Sequence, residues 1–171
     1  MTDYKIVSYA TEGSIYETCI AQQSALYGSR YIGLVYPDQG SWEANTKLKP
    51  RAIREALGDC DTVLWIDADC TIDAPHNAPA GEWDVGVIEN RHPLHKNRIS
   101  AGFILFRNTR GSRAFLDQWD ACAKHTRVDH TALTTTIKRM QGKVKIANVT
   151  KWLDGRHTIN ALLPERGEYA G

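Results

Sequence analysis

The amino-acid sequence predicts an α/β fold, a mostly parallel sheet flanked by helices, in a single domain over residues 1–171. Three observations lead there. Short runs rich in β-branched and aromatic residues recur along the chain. Segments with apolar residues at helical spacing fall between them. Clusters of Gly, Pro and Asp separate the two kinds, and such alternation predicts helices covering a mostly parallel sheet. A chain of 171 residues with 42% hydrophobic and 24% charged residues is long enough to bury a core without disulfide staples.

The elements follow in order. Residues 5–9 (Lys-Ile-Val-Ser-Tyr) read as a first buried strand. Ser14 is placed to cap a helix in which Tyr16, Ile20, Gln23 and Tyr27 share one face. Residues 31–36 form a second strand, ended by the turn cluster Pro37-Asp38-Gln39-Gly40. Lys49-Pro50 opens a helix through Leu57, because proline loses nothing at a first helical turn, and Gly58 stops it. Residues 62–66 are a third strand. Further strands are predicted at 85–88, 99–106 and 144–149. A helix following Gly111-Ser112 puts Phe115, Leu116, Trp119, Cys122 and Ala123 on one side, and another covers 129–139.

The net charge of +1 shows no global basic excess for nucleic acid and no acidic tail. Cys19, Cys60, Cys70 and Cys122 form no C-x-x-C pair, which argues against a zinc knuckle and for free thiols in a reducing compartment. The opening residues lack the apolar stretch of a signal peptide. No run approaches the roughly 20 apolar residues of a membrane helix. The expectation is a cytoplasmic protein, of a cell or of an infected host, with no membrane partner.

The sharpest feature is Val63-Leu64-Trp65-Ile66-Asp67-Ala68-Asp69-Cys70. An apolar strand delivers two carboxylates at its carboxyl end, where ligands of open α/β sheets bind. Alternation points residues i and i+2 the same way, so both acids face one ligand and Ala68 turns inward. Adjacent carboxylates repel, and a divalent cation such as Mn²⁺ or Mg²⁺ offsets this while sharing its remaining positions with phosphate. Cys70 reads as packing rather than as a ligand.

With these residues the chain resembles a GT-A glycosyltransferase, and most the retaining enzymes of the glycogenin and galactosyltransferase kind, over about residues 4–160 by order of motifs. Asp67-Ala68-Asp69 is similar to the family's D-x-D motif. The resemblance implies that Asp69 binds metal most directly and that Asp67 contacts ribose, metal or both. It assigns Ser8, Tyr9, Ala10 and Thr11, after the first strand, to the nucleotide base and ribose. Ser100-Ala101-Gly102, leading into Phe103-Ile104-Leu105-Phe106-Arg107-Asn108, resembles the segment whose backbone lies beside the sugar, with Ser100 where the pattern often carries Asn. Asp129-His130-Thr131-Ala132-Leu133 is similar to the D-x-x-L motif, whose acid sits near sugar or acceptor. His157, in Asp154-Gly155-Arg156-His157, is the candidate for the family's late third metal ligand.

Other residues carry weaker signals. Lys49, in Lys47-Leu48-Lys49-Pro50-Arg51, is placed to meet phosphate at a helix start. Asp129 can orient an acceptor hydroxyl, stabilise positive charge on the sugar, or cap the following helix. Arg91, His92, His95, Lys96 and Arg98 form a dense basic run, suited to a solvated loop, a lid over diphosphate or a grip on an anionic acceptor. Trp42 and Trp83 read as loop residues available to stack on a sugar or base. Trp65, Trp119 and Trp152 read as core.

The function expected is metal-dependent transfer of a sugar from a nucleoside diphosphate sugar, uridine-linked, to an acceptor hydroxyl of a saccharide or protein. Asp129 and Lys49 are the candidate catalytic residues. A phage-type transfer to a hydroxymethylated base in DNA is the alternative, supported only by the basic run. A nucleotidyltransferase and a non-catalytic nucleotide- or carbohydrate-binding module complete the possibilities.

Overall fold

The computed structural model describes residues 4–73, 77–89, 99–153, 157–158 (backbone) and 161–163. Its main sheet has the order β2-β1-β3-β6-β5-β7, formed by β1 (Lys5–Thr11), β2 (Tyr31–Tyr36), β3 (Thr62–Ile66), β5 (Val85–Glu89), β6 (Ile99–Arg107) and β7 (Ile146–Asn148). Only β6 runs against its neighbours: β1 is parallel to β2 and β3, and β5 to β7, while β6 is antiparallel to β3 and β5. The sheet is therefore mostly parallel, as the sequence predicts. A short antiparallel pair, β4 (Thr71–Ile72) with β8 (His157–Thr158), lies apart from it and is too short to register as a sequence pattern.

All five residues of β3 are buried, as a central strand covered on both faces requires. Val63 and Trp65 face a core with α3 (Lys49–Leu57), α4 (Arg110–Ala123) and α5 (Asp129–Met140). Leu64 and Ile66 face the opposite core with Tyr4, Trp83, Phe103 and Leu153, the last from the short helix α6 (Thr150–Leu153). Helix α1 (Tyr16–Tyr27) packs through Cys19 and Ile20 against Ala10 and Ala68.

Several expectations are corrected. Ser14 does not cap α1, because Ile15 already has helical angles and the Ser14 hydroxyl donates to the Thr11 carbonyl at 2.7 Å. The strand predicted at 144–149 shortens to Ile146–Asn148. Trp42 begins a short helix, α2 (Trp42–Thr46), capped by the Ser41 hydroxyl, which accepts from Ala44 N at 3.1 Å. Trp83 is no stacking platform. It is 3% exposed, its indole N–H donates to Pro79 O at 3.1 Å, and the Arg107 guanidinium lies 4.2 Å over its ring.

The start of α4 is tied to β5 through Asp84. Its carboxylate accepts from the Thr109 hydroxyl at 2.6 Å and from Lys145 N at 2.8 Å. A Cβ on Gly111 would lie 2.3 Å from Asp84 Oδ2, against a side chain pinned from two sides. Gly111→Ala is therefore expected to destabilise the fold by about 1–3 kcal/mol, the usual cost of overpacking. Urea denaturation measures it, and an unchanged midpoint would show that Asp84 can move.

Candidate functional site

A cavity of about 630 Å³ opens at the carboxyl edge of β1 and β3. Its floor is Asp67, Ala68 and Asp69, which follow β3 not as extended strand but as a turn that Cys70 N closes on Asp67 O at 3.0 Å. Tyr9, Ala10, Thr11 and Tyr16 form one wall. Asp38, Trp42 and Asn45 form the second. Ser100, Ala101, Gly102, Asp129 and His130 form the third. The reversed direction of β6 places its first residues beside the last of β3: Asp67 N donates to Gly102 O at 3.0 Å. A Cβ on Gly102 would stand 3.1 Å from Asp67 Oδ2, so glycine allows this close approach.

The charged centre is Lys49, the first residue of α3. Its ammonium lies 2.7 Å from Asp67 Oδ1 and 2.5 Å from Asp129 Oδ2, with side-chain exposures of 8% for Lys49, 34% for Asp67 and 9% for Asp129. Its third contact is the Ala101 carbonyl at 3.4 Å. An ammonium has three protons to donate, and these partners use them all. Lys49 is thus a buried cross-brace between two carboxylates on the lining of the cavity. Burial works to lower its pKa, but Asp67 and Asp129 outweigh this and shift it upward. Burial also raises the pKa of Asp67, with Lys49 opposing. Asp129 Oδ1 accepts from His130 N at 2.8 Å. Asp129 is itself the first residue of α5, with Val128 in the capping position.

Asp69 lines the same cavity and receives a 3.4 Å contact from the buried Cys70 thiol. The Tyr16 hydroxyl is shifted upward in pKa by burial, then by Asp69 and Asp67. Three carboxylates against one ammonium leave two formal negative charges at the cavity floor.

These donors fit a hard divalent cation. Mg²⁺-type sites take one or two carboxylates and complete their octahedron with water and phosphate oxygens. Among the described residues no group of three His, Cys, Asp or Glu side chains converges on one point. Of the cavity's carboxylates, Asp67 and Asp69 are the two that would be offered to such an ion. His157 is described by its backbone, which pairs with Ile72 just beyond the carboxylate turn; its side chain lies outside the described residues, as do Asp154, Gly155 and Arg156. The basic residues Arg91, His92, His95, Lys96 and Arg98 also lie outside them.

Of the predicted nucleotide residues, Tyr9, Ala10 and Thr11 line the cavity and Ser8 does not. Alternation along β1 turns Ser8 to the other face, where its hydroxyl donates to Gln23 Oε1 at 2.6 Å. Tyr9 donates to Asn45 O at 2.5 Å and leans on Trp65, with ring centroids 5.5 Å apart. Sequence reasoning missed two residues. His130 bonds Ile99 O through Nε2 at 2.8 Å on the cavity wall. Gln23 is wholly buried under the carboxylate turn, and its only sequence signal was a polar residue on the apolar face of α1.

No family model matches the chain, and no curated protein matches it by sequence. Solved structures do. A glycosyltransferase involved in the glycosylation of the major capsid of PBCV-1 aligns with a TM-score of 0.63 at 13% identity, over 86% of this chain and 82% of that one. The glycosyltransferase GlyE of Streptococcus pneumoniae TIGR4, in its apo form, aligns with a TM-score of 0.55 at 12% identity, over 87% of this chain. This chain spans 46% of the GlyE chain's length. The chain therefore shares its α/β fold with these solved glycosyltransferases.

Proposed function

We propose that this chain is a metal-dependent glycosyltransferase that moves a sugar from a nucleoside diphosphate sugar, uridine-linked, to an acceptor hydroxyl of a saccharide or protein. The observation that supports it best is the pair Asp67 and Asp69 on the floor of a 630 Å³ cavity, at the carboxyl edge of a glycosyltransferase fold. Formal excess negative charge at that floor attracts a cation, and the cation attracts a diphosphate.

In this reading Tyr9, Ala10 and Thr11 border the nucleoside. Asp67 and Asp69 hold Mn²⁺ or Mg²⁺, which when bound neutralises the diphosphate as it leaves. The Ala101-Gly102 backbone runs beside the sugar. The bond from the anomeric carbon to the phosphate oxygen breaks, with its electron pair leaving on the nucleoside diphosphate. A bond to the acceptor oxygen forms, and the acceptor hydroxyl's proton passes to the departing diphosphate oxygen, which balances the step. Asp129 is the carboxylate nearest the reacting carbon, held through Lys49 in fixed relation to Asp67. Retention at that carbon is the outcome the family resemblance implies. Trp42, 59% exposed on the cavity wall, offers an aromatic face to a base or a sugar.

Thermal unfolding with nucleoside diphosphates and nucleotide sugars, each with Mn²⁺ and with chelator, tests the reading. A ligand at 100 times its Kd adds about 2.7 kcal/mol, which is roughly 5–10 °C for a domain of this size. The expected result is such a shift for a uridine nucleotide, abolished by chelator, with nucleoside diphosphate released on turnover. Release of pyrophosphate would mark a nucleotidyltransferase instead. No metal-dependent shift for any nucleotide would sink the proposal.

A further inference from the structure

We propose that Gln23 is a positioning residue for the carboxylate turn: from helix α1 it holds the backbone of residues 67–70 so that Asp67 and Asp69 present their oxygens to one cation. This rests on the metal-binding reading above.

The Gln23 side chain is wholly buried. Its amide nitrogen donates to Asp67 O at 3.0 Å and to Cys70 O at 2.7 Å. Its amide oxygen accepts from the Ser8 hydroxyl at 2.6 Å and the Tyr31 hydroxyl at 2.7 Å. An amide has two donors and two lone pairs, and all four are used. The orientation is decided by the carbonyls, since an amide oxygen turned toward them would meet two acceptors. The two carbonyls bracket Ala68 and Asp69. Cys70 N also closes the turn on Asp67 O at 3.0 Å, so that oxygen receives two hydrogen bonds.

Neighbouring residues of α1 extend the same grip. The Tyr27 hydroxyl, one helical turn further on, accepts from Ile72 N at 2.8 Å. Tyr16, at the other end of the helix, lines the cavity beside Asp69. The face shared by Tyr16, Ile20, Gln23 and Tyr27 therefore follows the chain from Asp67 to Ile72. Outer-shell partners that orient metal ligands typically change metal affinity 10–100-fold when removed.

The test compares two variants with the unaltered chain. Gln23→Glu keeps an acceptor for Ser8 and Tyr31 but removes at least one of the two donors to the turn. Tyr31→Phe removes one hydroxyl from the far side of the amide and leaves both turn contacts in place. Mn²⁺ affinity is measured without nucleotide, from the electron paramagnetic resonance of free Mn²⁺, and amide hydrogen exchange is followed over residues 67–72. The expected result is Mn²⁺ binding weakened at least roughly tenfold in Gln23→Glu, with faster exchange confined to 67–72, and binding within about twofold of the parent in Tyr31→Phe. Parental Mn²⁺ affinity in Gln23→Glu would overturn the proposal, whatever happens to its Tm. If the unaltered chain binds no Mn²⁺, the metal reading fails separately and exchange decides. Unchanged exchange over 67–72 then overturns the clamp, and faster exchange confined there upholds it. Should Gln23→Glu not fold, Gln23→Asn, one methylene too short to span both carbonyls, takes its place with the same outcomes.

Discussion

Asp69→Ala is expected to lower metal-dependent sugar transfer roughly a thousand-fold while the chain stays folded. A bound metal supplies several kcal/mol of transition-state stabilisation, taken as about 4, and about 1.4 kcal/mol is a tenfold change in rate. Asp69 borders the cavity, half-buried, and its described side-chain contact is the 3.4 Å approach of the Cys70 thiol. Its removal leaves no buried charge unpaired, so stability should change by no more than about 0.5 kcal/mol. The check is initial rates across a Mn²⁺ series, with circular dichroism to confirm the fold. Activity above a tenth of the parent's would remove Asp69 from the metal site. Mn²⁺-dependent protection by nucleotide should disappear in the same variant.

Lys49→Met is the variant expected to cost the most stability. It keeps a side chain of similar length and deletes the ammonium, which braces Asp67 and Asp129 and lies 5.7 Å from the Trp65 ring centroid. Breaking a buried ion pair by removing one partner costs about 3–5 kcal/mol, because the other charge stays buried. Here two carboxylates are left facing each other. Asp129 suffers more, being 9% exposed against 34% for Asp67, which can still turn to water in the cavity. At about 2–4 °C per kcal/mol the Tm should fall by roughly 6–20 °C. Adding Asp129→Asn removes the stranded charge and should recover part of that fall. A Tm drop under about 2 °C in Lys49→Met, or no recovery in the double variant, would show that the brace is not what stabilises this region.

The parts of the molecule legible beforehand were those written in contiguous residues. The run Val63 to Ile66 is apolar at every position, which marks a strand buried on both sides, whereas Asp67 and Asp69 reach the cavity through a turn closed by Cys70 N on Asp67 O and not through the strand alternation that the sequence suggests. Phe115, Leu116, Trp119, Cys122 and Ala123 on α4 repeat at helical intervals and are all buried. What could not be read was whatever depends on meetings across the chain. Lys49, Asp67 and Asp129 are brought together from three different elements, and no local pattern announces that a lysine at a helix start will turn inward between two acids. Gln23 shows the same limit. Its spacing with Ile20 and Tyr27 marks a buried face, yet nothing local names the carbonyls it serves. Ser8 departs from its expected place for a simpler reason, since its hydroxyl turns to Gln23 on the other face of β1 while Tyr9, Ala10 and Thr11 line the cavity. Trp83, a tryptophan among Gly, Glu and Asp, has the local pattern of a loop residue, yet its ring lies under Arg107 and its indole N–H is bonded to Pro79 O.

The reversal of β6 has a kinetic side. Because β6 pairs antiparallel with β3, the floor and one wall of the cavity meet only when segments some 35–45 residues apart, from Thr62↔Arg107 to Ile66↔Phe103, have closed on each other. The brace from Lys49 to Asp129 spans a longer loop still. Contacts of such sequence separation form against loop-closure entropy and are typically completed late. Unfolded and early-folding chains therefore carry Asp67 and Asp69 as two ordinary acids, without a partner wall. A ligand of the finished cavity acts on the exit from the native state, slowing unfolding rather than hastening folding, and residence in the folded form is then set by how fully the cavity is occupied.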